Sequence, residues 1–198
     1  MRDLTGIVFA LMIALPVTPV LAQQCPTPDS GRRGFVVERG DKQKSEVFHS
    51  DKGIVRTVMR YDGQSLLETS SFEGLFQLER VDSGQRTVIQ PRDNLAALLP
   101  LRSGKTITAA FDYTADSGRS VPGTVVLVVK NEEPLFIGPC RYMVLKIEHS
   151  ESRGNNPPRP ISTDYYSPEL KLVLMREYTH SDGQHRFVKY DRIYPIKD

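Results

Sequence analysis

The sequence predicts an all-β fold: a single curved antiparallel meander sheet, or an open half barrel, with one short helix near 93–99. Three observations carry that reading. Short segments rich in β-branched and aromatic residues recur from Phe35 to Tyr194. Turn signals separate them at intervals of ten or eleven residues, at Asp62-Gly63, Glu73-Gly74 and Ser83-Gly84. Only one stretch has a helical signature, and no alternation of strand and helix suggests a parallel sheet.

Taken in order, Phe35-Val36-Val37 opens the meander, and Val47-Phe48 leads into the turn Ser50-Asp51-Lys52-Gly53. Ile54 to Tyr61 follows. Asp62-Gly63 then tolerates the positive φ of a two-residue hairpin, which sets Met59 opposite Leu66 and Val58 opposite Leu67. Asp93 is placed to cap a short helix through Leu95 to Leu99, stopped by Pro100. At under two turns it needs packing to persist, as a lid or plug. Thr106 to Tyr113 resumes the strands. Thr124 to Lys130, TVVLVVK, is the most continuous apolar run after the N-terminal segment and is expected to be a central strand.

Glu132 to Pro139 reads as a loop, and Cys140 to Glu148 as an alternating strand. Arg153 to Pro160, RGNNPPRP, reads as an exposed excursion because its prolines fix φ and remove donors. Tyr165-Tyr166 ends a strand at the turn Ser167-Pro168-Glu169. Leu170 to Tyr178 is expected to pair through Asp182-Gly183 with Arg186 to Tyr194, for roughly ten strands in all.

Met1 to Ala22 has the parts of a cleavable secretory signal. Arg2 supplies charge, Ile7 to Leu15 an apolar run, and Val20-Leu21-Ala22 small residues at the cleavage positions. The expected mature protein is residues 23–198, one periplasmic or secreted domain with no membrane span left after cleavage. Lipidation of Cys25 is disfavoured by Gln24, since a small residue is wanted before the modified cysteine. Cys25 and Cys140, the only two cysteines, are therefore expected to pair in an oxidising compartment. Their separation excludes a CxxC redox motif.

Net charge is +2, with both signs interspersed and no basic cluster longer than Arg32-Arg33, which argues against nucleic acid as a partner. At the end of the meander a resemblance emerges. Leu98-Leu99-Pro100-Leu101, then Gly104-Lys105 before a strand, and later Tyr165 to Leu170 before a strand carrying Val173 and Arg176, resemble a loose group of bacterial periplasmic domains of uncharacterised function. These have half-barrel sheets similar to the lipoprotein-carrier fold. The resemblance covers residues 50–195 and implies a fold and a compartment. It implies no catalytic residue, and an apolar groove only as some members have one.

No cofactor motif survives inspection. Gly104-Lys105-Thr106 lacks the upstream glycine of a phosphate loop, because Leu99 stands there. His180 and His185 would face each other across a two-residue turn at Asp182-Gly183. Two ligands are too few for a metal site, so both read as solvated. The same register would oppose Arg176 to Lys189. His49 and His149 read as surface residues at strand ends. Tyr142, Tyr165, Tyr166, Tyr178, Phe187 and Tyr190 are candidates to line a groove, with Asp164 and Glu169 beside them; cross-strand packing explains the aromatics as well.

The expected function is that of a non-enzymatic exported protein. It would bind an apolar or amphipathic ligand, or an envelope protein partner, through its curved sheet. The rivals are a hydrolase with a dispersed site and a structural envelope component that assembles through exposed strand edges.

Overall fold

The computed structural model describes residues 24–154, 156–179 and 184–196. The signal-like segment Met1 to Ala22 lies outside them, as do His180 and the Asp182-Gly183 turn. After a single-turn helix, α1 (Ser30–Arg33), the strands are β1 (Phe35–Arg39), β2 (Gln43–His49), β3 (Ile54–Tyr61), β4 (Gln64–Phe72), β5 (Phe76–Asp82) and β6 (Gln85–Pro91). They continue as β7 (Thr106–Ala115), β8 (Ser120–Ile137), β9 (Cys140–Arg153), β10 (Arg159–Ser167), β11 (Leu172–Thr179), β12 (His185–Lys189) and β13 (Arg192–Pro195). All thirteen belong to one open antiparallel sheet, ordered as a meander from β1 to β12, with β13 on the far side of β1.

The two edge strands of this sheet are consecutive in the chain. Tyr190 donates its N–H to Leu174 O in β11, and Asp191 donates its N–H to Glu38 O in β1. The hand-over between adjacent residues brings the two ends of the meander together, so the sheet wraps although it does not close. Bulges increase local twist and bend. The register slips leave Leu66, Leu78, Lys130, Ile161 and Leu174 as extra residues, distributed round the sheet.

The first of these corrects the expected hairpin. Tyr61 pairs with Gln64 and Arg60 with Ser65 as the turn dictates, but Met59 pairs with Leu67, not Leu66. Leu66 is exposed, while the slip puts Leu67 on the inner face with Met59. A similar one-residue shift alters the last hairpin. His185 faces Thr179, and Arg176 faces Val188, which spares it the like-charged Lys189.

The helix expected near 93–99 is a single 3-10 turn, Leu95–Leu98. Its cap is Asn94, whose side chain accepts from Ala96 N; the Asp93 carboxylate instead accepts from Ala110 N in β7. α1 has no strong sequence signal. It lies against β2, where a Cβ on Gly31 would collide with the His49 ring at 2.0 Å.

The loop expected over Glu132–Pro139 is strand instead. β8 runs unbroken to Ile137 and pairs with β9 down to Ile137–Cys140. Pro134 is tolerated because β7 accompanies β8 only as far as Val128. Beyond that point β8 has one neighbour, and its open edge needs no donor from proline. Residues 131–144 thus form a two-stranded ribbon projecting from the sheet.

The ribbon packs back onto the fold. Ile137, Cys140, Tyr142 and Val144 join Phe35, Val37, Val47, Leu170, Leu174 and Ile193 in one core cluster. The Cys25–Cys140 disulfide, 5.5 Å between Cα atoms, anchors its turn end to the N-terminal segment. At its tip a Cβ on Gly138 would stand 3.4 Å from the Asp191 carbonyl oxygen, at the seam between the sheet's two ends. The second core cluster, centred on Phe76, Phe111, Leu127, Val129, Ile147 and Tyr166, belongs to β5–β10.

One further contact holds the wrap across its interior. The β4–β5 turn reaches the β10–β11 turn: Lys171 Nζ pairs with Glu73 Oε2 at 2.8 Å, and Tyr166 OH donates to Glu73 O. Gly74, with φ +70°, lies so close to the Lys171 carbonyl that a Cβ would stand 1.7 Å from it. Only glycine meets both demands there.

Candidate functional site

The wrapped sheet surrounds an open cavity of about 440 Å³ lined by the inner faces of strands from β2 round to β12. Much of its wall is apolar, with Val55, Met59, Leu67, Leu75, Ile89, Phe111 and Val173. A second, polar space of about 660 Å³ adjoins it and shares Gln77, Arg80, Ile89 and Arg153 with it. Asp82, Ser83, Gln85 and Thr87 complete that outer vestibule.

Strand period explains the polar part of the wall. Side chains two apart share a face, so β9 directs Ile147, His149, Glu151 and Arg153 inward in succession, from the core towards the vestibule. β10 contributes Ser162 and Asp164, and β11 sets Arg176 opposite Asp164. Asp164 is only 2% exposed. Its carboxylate accepts from Arg176 Nε at 2.7 Å, Arg176 Nη2 at 2.8 Å and the Ser162 hydroxyl at 2.7 Å. His149 Nδ1 lies 3.3 Å from the same carboxylate, and Nε2 lies 3.4 Å from Glu151 Oε1 on the other side of the ring. His149 Nε2 is buried and makes no hydrogen bond in this structure.

These neighbours set the charges. Burial alone would push the His149 imidazole down, but Asp164 and Glu151 outweigh it and raise it to about 9. Burial would likewise raise the Asp164 carboxyl, yet His149 and Arg176 hold it well below the usual carboxylate range. His149 is the main cause that keeps Glu151 low. Arg176 is raised above its ordinary value by Asp164 against the opposing effect of burial. At neutral pH the group therefore consists of two cations and two anions, each charge compensated within it.

The His149 charge has a consequence for stability. Its folded value of about 9 lies above the ordinary 6.5, so folding takes up a proton between them. The stabilisation, of order 3 kcal/mol, is fully present below about pH 6.5 and is lost as pH rises through about 9. Urea midpoints measured across that window are expected to fall with rising pH in the native chain. His149→Gln should flatten the slope; an unchanged slope would show that another group carries it.

Arg153 occupies the outer end of the β9 stripe. Its guanidinium lies over the Tyr113 ring, 4.6 Å from the centroid. Gly123 makes room for that ring: a Cβ there would stand 2.5 Å from Tyr113 Cε2 and 2.5 Å from Ser152 O. Burial, and then Glu151, push the Tyr113 phenol up to about 12.

The sequence-derived candidates divide. Tyr178 and Tyr190 line the cavity. Tyr166 is buried in the second core cluster, its hydroxyl committed to Glu73 O. Tyr142 is buried in the first cluster and donates to Pro26 O, and Tyr165 belongs to that cluster with Lys146 over its ring. Phe187 is 56% exposed and lies away from the cavity. His185 Nδ1 lies 2.6 Å from Glu177 Oε1, and its candidate metal partner, His180, is outside the described residues. Among the described residues no set of three or more His, Cys, Asp or Glu converges to hold a metal ion.

Two expectations are corrected here. His149 is not a surface residue at a strand end but a cavity-wall residue, because β9 continues to Arg153. His49 is half-buried, edge-on to Phe35 with ring centroids 5.7 Å apart. Burial is the main cause that lowers its imidazole. The charged group escapes a reading of the sequence because its members lie on three strands. The signal that could have found it is the alternation Ile147-x-His149-x-Glu151-x-Arg153, which carries the strand past Glu148.

No family model and no curated protein matches the sequence. Among solved structures the chain is similar to the hypothetical lipoprotein YmcC from Escherichia coli (K12). The TM-score is 0.48 at 13% identity, covering 79% of this chain and 86% of that one.

Proposed function

We propose that this protein is an exported, envelope-associated binding module that holds an amphipathic small molecule inside its wrapped sheet. The observation that carries the reading is the cavity, apolar over much of its wall and polar along β9 towards the vestibule. Its volume of about 440 Å³ lies within the ordinary range of ligand sites, about 300–1,000 Å³. The cavity is open on its vestibule side, so a guest has a route in. The Cys25–Cys140 disulfide supports an oxidising compartment, in keeping with the signal-like Met1 to Ala22 and with the resemblance to periplasmic half-barrel domains.

Native mass spectrometry of protein purified from the periplasm tests this reading. A co-purifying mass removed by organic extraction, and lost in a cavity-filling Val173→Phe variant that still folds, is the expected result. Protein that arrives bare and takes up no amphiphile in titration would sink it.

A second reading, an enzyme with a dispersed site, is favoured by the convergence of His149, Glu151, Asp164 and Arg176 on one wall. Against it, His149 Nε2 has no side-chain hydroxyl or thiol within hydrogen-bond reach, so no serine, threonine or cysteine nucleophile is paired with that nitrogen. Hydrolysis of a chromogenic ester by the native chain, abolished in His149→Asn, would favour the enzyme.

A further inference from the structure

Resting on the cavity reading, we infer that the guest is a single-chain amphiphile with an anionic head, a carboxylate or a phosphate, held by Arg153 at the junction of cavity and vestibule. Charge complementarity carries this inference. The charged residues that line the two spaces or stand directly behind the wall are Arg80, Asp82, His149, Glu151, Arg153, Asp164 and Arg176. Arg80 pairs with Asp82 at 2.5 Å. Arg176 pairs with Asp164 through two hydrogen bonds, and His149 lies between Asp164 and Glu151.

Pairing them off leaves one charge. Among the described residues Arg153 has no carboxylate within ion-pair distance; its guanidinium lies on the Tyr113 ring, acts on the Tyr113 hydroxyl and, from further off, on Glu151. A guanidinium has five N–H donors, so one stacked on an aromatic ring still has donors at its edge for a carboxylate or phosphate. Glu151, one pleat deeper, is turned to His149. The position also suits an amphiphile. Inward of Arg153 lie Ile89, Phe111 and Val125, and outward lies a polar, open vestibule. A tail would occupy the apolar wall while the head remained at the rim, where desolvation costs least.

Calorimetric titration of the full chain, kept below micelle-forming concentrations, tests the inference. The probes are dodecanoate, dodecyl phosphate, dodecanol and dodecyltrimethylammonium, with acetate and inorganic phosphate as heads without tails. Both anionic amphiphiles are expected to bind at least about 10-fold more tightly than the alcohol, and the cation more weakly still. The isolated heads should not bind measurably. Which anionic amphiphile binds more tightly identifies the head.

Arg153→Gln should abolish the preference for the anion, so that dodecanoate and dodecanol bind equally. Arg153→Lys should restore part of it. Equal affinity for dodecanoate and dodecanol, or a preference that survives Arg153→Gln, overturns the anionic head but leaves the cavity reading intact. If none of the amphiphiles binds, both fall.

Discussion

Asp164→Ala is expected to lower folding stability by about 3–5 kcal/mol. The carboxylate is 2% exposed and accepts from Arg176 twice, from Ser162, and lies beside His149. Removing it takes away both of its hydrogen bonds with the Arg176 guanidinium and leaves two cations, Arg176 and His149, with Glu151 as the one anion of the group. The loss comes from that excess positive charge more than from the pair's own attraction, so the double variant Asp164→Leu/Arg176→Leu should recover much of it. Urea unfolding followed by circular dichroism measures all three chains. A single variant within about 1 kcal/mol of native would mean that the interior is wet enough to solvate Arg176, and that the wall is not held by its buried charges.

Opening the Cys25–Cys140 bridge should cost about 2–4 kcal/mol, below the chain-entropy ceiling of about 5 kcal/mol for so long a loop. The cysteines are 115 residues apart, and the bond ties the N-terminal segment to the turn end of the ribbon over residues 131–144. That ribbon has a sheet partner on one side only, so losing its anchor should loosen Ile137, Tyr142 and Val144 against Phe35 and Ile193. Cys25→Ser/Cys140→Ser, or the native chain with reductant, should melt roughly 10 °C lower, at about 2–4 °C per kcal/mol for a chain of this size. Amide exchange should rise first in the ribbon. A thermal midpoint unmoved by reduction would show that core packing alone holds the ribbon.

Strand and turn chemistry are legible in the amino-acid order because they are local. Asp62-Gly63 sets its own hairpin, and the first two pairs beyond it follow from the turn. The bulge at Leu66 is not legible. It depends on which face of β4 meets the cavity, and that is decided by strands far away in sequence. Pro134 misleads for a related reason: proline argues against a strand only where both edges are paired, and whether β8 has a neighbour there depends on where β7 ends.

The site shows the same division. Tyr178 and Tyr190 are among the aromatic candidates and do line the cavity. Tyr142 and Tyr165, similar in local sequence, belong to a core cluster instead. His149 reads as solvated when its strand is ended at Glu148, and Asp164 gives no sign of its two-bond partner twelve residues on.

The amino-acid sequence by itself determined an antiparallel meander, its main turns and a pair of cysteines available to each other. Alternation, turn propensity and the scarcity of thiols act within a few residues or within composition. Tertiary structure alone decided that the meander wraps, that its ends meet at Tyr190-Asp191, and that His149, Glu151, Asp164 and Arg176 neutralise one another on a cavity wall while Arg153 stands beyond ion-pair distance of their carboxylates. The physical reason is that charge compensation depends on distance in space, and in a wrapped sheet those distances are set by register and bulges accumulated over many strands.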